Sequence, residues 1–294
     1  MIITVVIVSW NTRKLLDKCL SSLKSEIERS TIGLDKAEVF VVDNDSPDRS
    51  ADMVAEKHSW VKLIRNDSNR GFAAANNQIL WIAQGEIILL LNPDTEILSG
   101  ALDTLVTFLK EHEKAGVVAP QLLNSDGSIQ RSCRAFPTFW GMFYELIGLS
   151  RLFPHVAKFR QYKMLDWNQN DERQVDQPEG ACLAIKKSVL NQVGLFDEDF
   201  FMLFEEVDLC YRIKEAGYEI WFTPRAKVIH HHGQSIKQAK IKMILSSHRG
   251  MYRFWFKHYR GDRWYLDSIA YMSLILLAYL RIASYWLKQE WDKL

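Results

Sequence analysis

Three groups of side chains have the types and spacing to do chemistry. The first is Asn92-Pro93-Asp94, directly after the apolar run EIILLL at Glu86–Leu91. One carboxylate at the end of a buried strand suits a hard divalent cation whose remaining positions are filled by phosphate oxygens. The same tripeptide also fits an ordinary proline turn with Asp94 capping the next helix. The second group is Glu205, Glu206 and Asp208, which follow the aromatic run Phe201–Phe204. Acids at a helix start are favoured by its dipole. Crowded beside aromatics, they also raise one another's pKa, and one of them can then act as a general base. The third is His230-His231-His232-Gly233. On a strand His230 and His232 share a face and His231 points away, so three adjacent histidines do not readily bind one metal.

The elements that must hold these groups are legible in the surrounding pattern. Ile2–Val8 and Ala37–Val42 are β-branched apolar runs of the kind buried on both faces of a parallel sheet. Val61–Ile64 and Glu86–Leu91 read as further strands. Helices are expected from the Asn11-Thr12 cap to about Glu28, over Gly71–Gln84 and over Leu98–His112. Four strand–helix alternations imply βαβ units, and in such sheets ligands sit at the carboxyl ends of the strands. Ser9-Trp10-Asn11, Asp43 to Asp48 and Asn92-Pro93-Asp94 should therefore converge on one crevice. Residues 120–178 are punctuated by Pro120, Pro137, Pro154 and Pro178. They read as a hairpin at Asp126-Gly127 followed by loops and short helices around a lid. Ala181–Ile185, Glu219–Phe222 and Lys227–His230 are expected strands, and Lys187–Val193 and Glu205–Ala216 expected helices.

The 294 residues, 48% hydrophobic and 25% charged, exclude disorder, collagen and coiled coil as the main organisation. The net charge of +1 gives no reason to expect a nucleic-acid partner. Four widely spaced cysteines without a CxxC suggest neither a zinc site nor a disulfide framework, and fit a cytoplasmic setting. There is no GxxxxGK[ST], GxGxxG, GxSxG or HExxH sequence. Simple P-loop, dinucleotide-binding, α/β-hydrolase and zincin readings therefore fall away.

The ordered set VIVSWN (Val6–Asn11), VVDNDS (Val41–Ser46), NRGFAAANN (Asn69–Asn77), LLNPDT (Leu90–Thr95), the stretch Glu179–Arg212 and HHHGQS (His230–Ser235) resembles the family 2 glycosyltransferases. It is most similar to the rhamnosyltransferase-like branch that builds bacterial cell-surface polysaccharides. The resemblance covers about residues 1–235. It implies an α/β fold of the GT-A kind, a Rossmann-like, mostly parallel sheet flanked by helices. It also implies an inverting, metal-dependent transfer from a nucleoside-diphosphate sugar, with dTDP-rhamnose the leading donor, to a saccharide or lipid-linked saccharide.

Carried over by position, Ser9, Trp10 and Asn11 lie beside the nucleotide and Asp43 contacts base or ribose. Asn69, Gly71, Asn76 and Asn77 face the diphosphate. Asp94 binds Mg²⁺ or Mn²⁺, with His230 completing the site. Glu206 matches the catalytic base, with Glu205 and Asp208 as rivals. Asn92 stands at the first position of the DxD-like motif, leaving the metal to Asp94 and the diphosphate. Nucleotidyl transfer, or a non-catalytic nucleotide-sugar-binding subunit, are the alternative functions.

Residues 236–294 form a separate expectation. They carry 11 Lys+Arg against 4 Asp+Glu, and 12 of the 35 aromatic residues. Arg249, Arg253, Lys257, Arg260 and Arg263 are interleaved with Tyr252, Phe254, Trp255, Phe256, Tyr259 and Trp264. Such a basic, aromatic helical extension is expected at the inner face of a membrane, held peripherally. The uncharged run Ser268–Leu280 is too short to span a bilayer, which needs roughly 20 apolar residues. A helical pair packed on the catalytic domain or across a homodimer is the competing reading.

Overall fold

The β-branched and leucine-rich runs become the central strands of one mixed, mostly parallel sheet. The structure, a computed structural model, describes residues 1–153, 155–231, 240–260 and 264–291. In chain order the strands are β1 (Ile3–Ser9), β2 (Ala37–Asp43), β3 (Lys62–Arg65), β4 (Ile87–Leu91), β5 (Thr95–Ile97), β6 (Ala115–Leu123), β7 (Ile129–Gln130), β8 (Cys133–Arg134), β9 (Arg173–Gln174), β10 (Gln177–Pro178), β11 (Cys182–Lys186) and β12 (Glu219–His230). The helices are α1 (Arg13–Arg29), α2 (Ser50–Lys57), α3 (Phe72–Leu80), α4 (Ala101–Glu111), α5 (Phe139–Leu146), α6 (Leu149–Leu152), α7 (Ala157–Arg160), α8 (Lys187–Val193), α9 (Glu205–Glu215), α10 (Lys240–His258) and α11 (Trp264–Trp291).

The strands are ordered β3-β2-β1-β4-β11-β6-β12-β5. The β3/β2, β2/β1, β1/β4 and β6/β12 pairs are parallel, and β11 runs antiparallel to both its neighbours. Every residue of β1 and β4 is buried, because helices cover both faces. Successive side chains alternate between two cores. Ile3, Val5 and Ile7 pack with Leu16, Leu20 and Leu105, whereas Val6 and Val8 pack with Ala73, Ile79 and Leu209.

Three of the differences from expectation have a clear physical reason. β6 was hidden by Pro120, which sits opposite Thr223 beside the register shift between Thr223 and Lys227. That irregularity also joins two expected strands into the single strand β12, with Pro224 inside it. Thr12 makes no side-chain cap to α1. The Arg13 N–H donates instead to Asp48 Oδ2 at 2.8 Å, and Thr12 Oγ1 pairs with Ser9 Oγ at 3.0 Å. The first turn of α1 is thus capped from the loop after β2.

The boundary expected at residue 235 falls outside the described residues. Beyond it, α10 packs against the body. Met251 and Phe254 share a small core with Phe200, Phe204 and Val207. Lys257 Nζ lies 2.8 Å from both Asp197 and Asp208, and Arg253 lies 3.1 Å from Asp197. Two of the basic residues expected at a membrane are therefore engaged by carboxylates of the body. Arg263 lies outside the described residues.

Candidate active site

The carboxyl ends of the strands open into one cavity, as the strand-end polar residues implied. Trp10 reaches it from the end of β1, Asn44 from β2, and Asn92, Pro93 and Asp94 from β4. Asn69 and Gly71 line it at the entry to α3. Asn69 Oδ1 accepts from the Gly71 N–H at 3.0 Å, and Asn44 Nδ2 donates to the Gly71 carbonyl at 3.0 Å. Both loops are thereby fixed against each other. Gly71 has φ +84°, and a Cβ there would stand 2.4 Å from the Phe201 carbonyl oxygen. Only glycine accommodates both conditions.

Glu205 and Glu206 enter from the opposite end of the sequence. The turn before α9 holds Leu203 at φ 72° and Phe204 at φ 79°. Two consecutive bulky residues in the left-handed region cost on the order of 1–3 kcal/mol each and persist only where surrounding packing dictates them. Here Phe204 is anchored in the core shared with α10. The turn delivers both glutamates to the cavity wall, Glu206 packed against Gly180. Burial raises the Glu205 pKa well above the ordinary carboxylate value, and its neighbour Glu206 adds to the rise. Burial likewise raises Glu206, with Glu179 reinforcing and Arg134 opposing it. Glu205 Oε2 and Glu206 Oε2 are out of solvent and have no hydrogen-bond partner among the described residues. Buried acceptors are ordinarily satisfied, so an orphaned carboxylate oxygen facing a cavity is suited to receive a ligand's O–H.

Asp94 and His230 also line this cavity, with His230 Nε2 3.4 Å from Asp94 Oδ1. The ring's other nitrogen, Nδ1, is 2.7 Å from Gln130 Oε1, while Gln130 Nε2 donates to Asn124 Oδ1 at 3.0 Å. In the neutral ring this arrangement keeps the proton on Nδ1 and turns the Nε2 lone pair toward Asp94. One carboxylate oxygen and one imidazole nitrogen fit Mg²⁺ or Mn²⁺ that takes its other ligands from phosphate and water. Among the described residues no group of three or more His, Cys, Asp or Glu side chains could hold a metal ion. A cation here would thus depend on the substrate to complete its shell. His231 faces elsewhere, with Nε2 2.7 Å from Glu96. Gly233 and Ser235 lie outside the described residues.

Several expected site residues do not line the cavity. Ser9 is fully buried against Thr12, and the Asn11 N–H donates to Ser46 Oγ at 2.9 Å. Asn76 donates back to the Phe72 carbonyl. Asn77 clamps residues 196–198 through the Phe196 backbone and Glu198. Asp43 lies behind Asn44; its Oδ2 accepts from the Ser46 N–H, and Oδ1 is buried without a partner among the described residues. Asp208 is directed away from the cavity and surrounded by Arg212, Lys257 and His258. Burial alone would raise its pKa, but Lys257, Arg212 and His258 outweigh that and hold it below the usual carboxylate range. A carboxylate held by Lys257, Arg212 and His258 is a poor proton acceptor, so Asp208 does not compete with the glutamates.

The cavity also contains residues to which sequence reasoning gave no role. Phe201, Met202 and Leu203 form part of its wall, and Lys242 and Met243 come from α10. Lys242 Nζ stands 4.5 Å from the centre of the Phe201 ring. Glu179 is within reach of His230, 4.0 Å from Nδ1.

The sequence profile of glycosyl transferase family 2 matches residues 4–166. The chain belongs to this family. Over 96% of its length and 94% of the relative's, it is 28% identical to the N-acetylglucosaminyl-diphospho-decaprenol L-rhamnosyltransferase of Mycobacterium tuberculosis. Among solved structures, the mannosyltransferase PcManGT from Pyrobaculum calidifontis, in complex with GDP-Man and Mn²⁺, superposes with TM-score 0.55 and 21% identity. That match covers 96% of this chain and 74% of the mannosyltransferase. S. aureus TarS 1-349 in complex with UDP-GlcNAc gives TM-score 0.54 at 16% identity, covering 93% and 79% of the two chains. The fold of this family 2 protein is GT-A, and it is a glycosyltransferase that draws on a nucleotide sugar. Family membership sets nucleotidyl transfer aside.

Proposed function

We propose that this glycosyltransferase carries out a metal-dependent, inverting transfer in which Glu206 is the base and Asp94 and His230 hold the cation. The observation that carries this reading is that Asp94, His230 and Glu206 all line one cavity, with Glu206 Oε2 buried and unpartnered among the described residues. Mg²⁺ or Mn²⁺, when bound, neutralises charge growing on the leaving diphosphate. Glu206 takes the proton from an acceptor hydroxyl as that oxygen forms its bond to the anomeric carbon and the carbon–phosphate oxygen bond breaks. One displacement from the opposite face inverts the configuration and needs no enzyme nucleophile. Burial, and the charge of Glu206 beside it, raise the pKa of Glu205, which disfavours a second negative charge next to the base. Asn44, Asn69 and Trp10 line the donor side.

The donor is dTDP-rhamnose in this reading, supported by similarity along nearly the whole chain to a protein named as an L-rhamnosyltransferase. The acceptor is a saccharide, carried on a lipid and met at a membrane surface. Met272, Leu276, Tyr279 and Leu280 support this: they form an exposed apolar stripe on α11. Among the described residues no helix is long and apolar enough to cross a membrane, so contact would be peripheral.

The test is a panel of nucleotide sugars assayed for transfer and for hydrolysis, with Mn²⁺ and with chelator. The reading expects cation-dependent turnover of one donor with inversion at the anomeric carbon. Retention of configuration, or equal turnover in chelator, would overturn it.

A further inference from the structure

Next to the catalytic cavity lies a second cleft of about 460 Å³. The two share Phe201, Met202, Leu203 and Lys242, so the strained turn is a partition between them. Nothing in the donor chemistry described above uses this second space.

Its walls differ sharply in character. Helix α10 supplies Lys242, Arg249 and Arg253, seven and four residues apart, which is one face of a helix. Neither Lys242 nor Arg249 has a carboxylate partner among the described residues, and both are exposed. Arg253 is anchored by Asp197 and Asp199, but its Nε is buried and has no partner among the described residues. Among the described residues Asp199 is the one acid lining the cleft, against Lys242, Arg249 and Arg253. The facing wall is apolar, made by Phe200, Phe201, Met202 and Leu203, with Leu245 beside them. An arginine fork with a second and third cation suits a multiply charged phosphate more than a single carboxylate. The apolar wall suits a hydrocarbon chain leaving that phosphate.

We infer that this cleft is the acceptor's phosphate site: Arg249, with Lys242 and Arg253, binds the phosphate or diphosphate ester that carries the acceptor sugar. The inference rests on the glycosyl-transfer reading. The shared partition supplies the geometry. A sugar attached to a phosphate in this cleft reaches around Phe201–Leu203, and its hydroxyl faces Glu206. The acceptor is thus recognised by its charged link as well as by its sugar.

The experiment is a calorimetric titration of the full chain with octyl diphosphate, in chelator and at low salt, with octyl glucoside as the uncharged control. Because it needs neither donor nor turnover, its failure is distinguishable from failure of the transfer reading. Octyl diphosphate should bind at least about tenfold more tightly than octyl glucoside, and less tightly as salt rises. Arg249→Glu should weaken it by about tenfold or more, the worth of one charge-assisted hydrogen bond. Arg249→Gln should also weaken it, and Arg249→Lys should retain most of the affinity. Equal binding in wild type and both charge-removing variants would overturn the inference, as would equal binding of the two probes. Loss of binding in Asp94→Asn would overturn it too, because the probe would then be occupying the donor side. A phosphate of the bilayer is the other source of this chemistry. If Arg249→Glu abolished flotation on phosphatidylglycerol vesicles while leaving octyl diphosphate binding intact, the site would belong to the membrane and the inference would fail.

Discussion

The two walls of the candidate catalytic cavity are built in different ways. On the donor wall, polar residues follow directly from buried strands, and the left-handed position that lines the cavity is Gly71, a residue that tolerates that conformation. On the acid wall the left-handed positions are Leu203 and Phe204, which do not. Neighbours hold the acid wall in place. Gly71 receives the Phe201 carbonyl on one side, and on the other a Cβ at Gly250 would come within 2.7 Å of the Leu203 carbonyl. Helix α10 then locks α9 through Asp208. The donor wall is written into local sequence, whereas the acid wall is an assembled structure. Changes far from the chemistry should therefore reach Glu206 and spare the donor side.

The largest expected effect is at the lock. Asp208→Ala leaves Arg212 and His258 without their carboxylate, strips Lys257 of one of its two, and should destabilise the fold by about 3–5 kcal/mol in urea melts. Because the folded pKa of Asp208 is depressed, its contribution is present above the unfolded value of about 3.9 and is lost as pH falls through the folded value. Wild type should therefore lose stability on acidification below about pH 4 more steeply than Asp208→Asn, and parallel acid melts would remove the lock from the account. Next in size is Gly250→Ala. The added methyl should move α10 off the turn at about 1–3 kcal/mol, with turnover falling more than nucleotide affinity. An equal fall in both would mean that the two walls are not separable.

Smaller still is a shift in pH profile. With the Glu206 pKa raised by burial, the acidic limb of kcat/KM should lie above the ordinary glutamate value of about 4.3. A limb at or below that value would relieve Glu206 of the base role. The smallest effect is expected on α11. Leu276→Glu should weaken flotation on anionic vesicles and leave the melting temperature within a few degrees. If sedimentation instead shows a dimer that this substitution dissociates, the apolar stripe is a subunit contact.

Legibility in the sequence follows the same division. β1, β2 and β4 were readable because strands buried on both faces carry unbroken apolar runs, and the polar residues ending them had to gather at one edge. α8 was read to the residue. β5 was too short to register, and β6 carried a proline that only the bulge in β12 makes harmless. At the site, Asp94, Glu206 and His230, picked out by motif, meet at one cavity. The partition Phe201–Leu203 was visible only as an aromatic run. Lys242 and Met243 gave no signal, because a basic, aromatic tail does not reveal that its first helix turns back onto the cavity. Asp208 could not be told from its neighbours until the cations of α10 were in place. Asn76 and Asn77 were placed by position alone, whereas their amides are spent on the Phe72 carbonyl and the 196–198 segment.

The most direct measurement compares Glu206→Gln with wild type for turnover and for binding of the donor's nucleoside diphosphate with Mn²⁺. The account predicts a loss in kcat of about 10²–10⁴-fold, the usual contribution of a general base, with nucleotide affinity unchanged within about twofold. Turnover at the wild-type rate in this variant would contradict the account and move the base elsewhere.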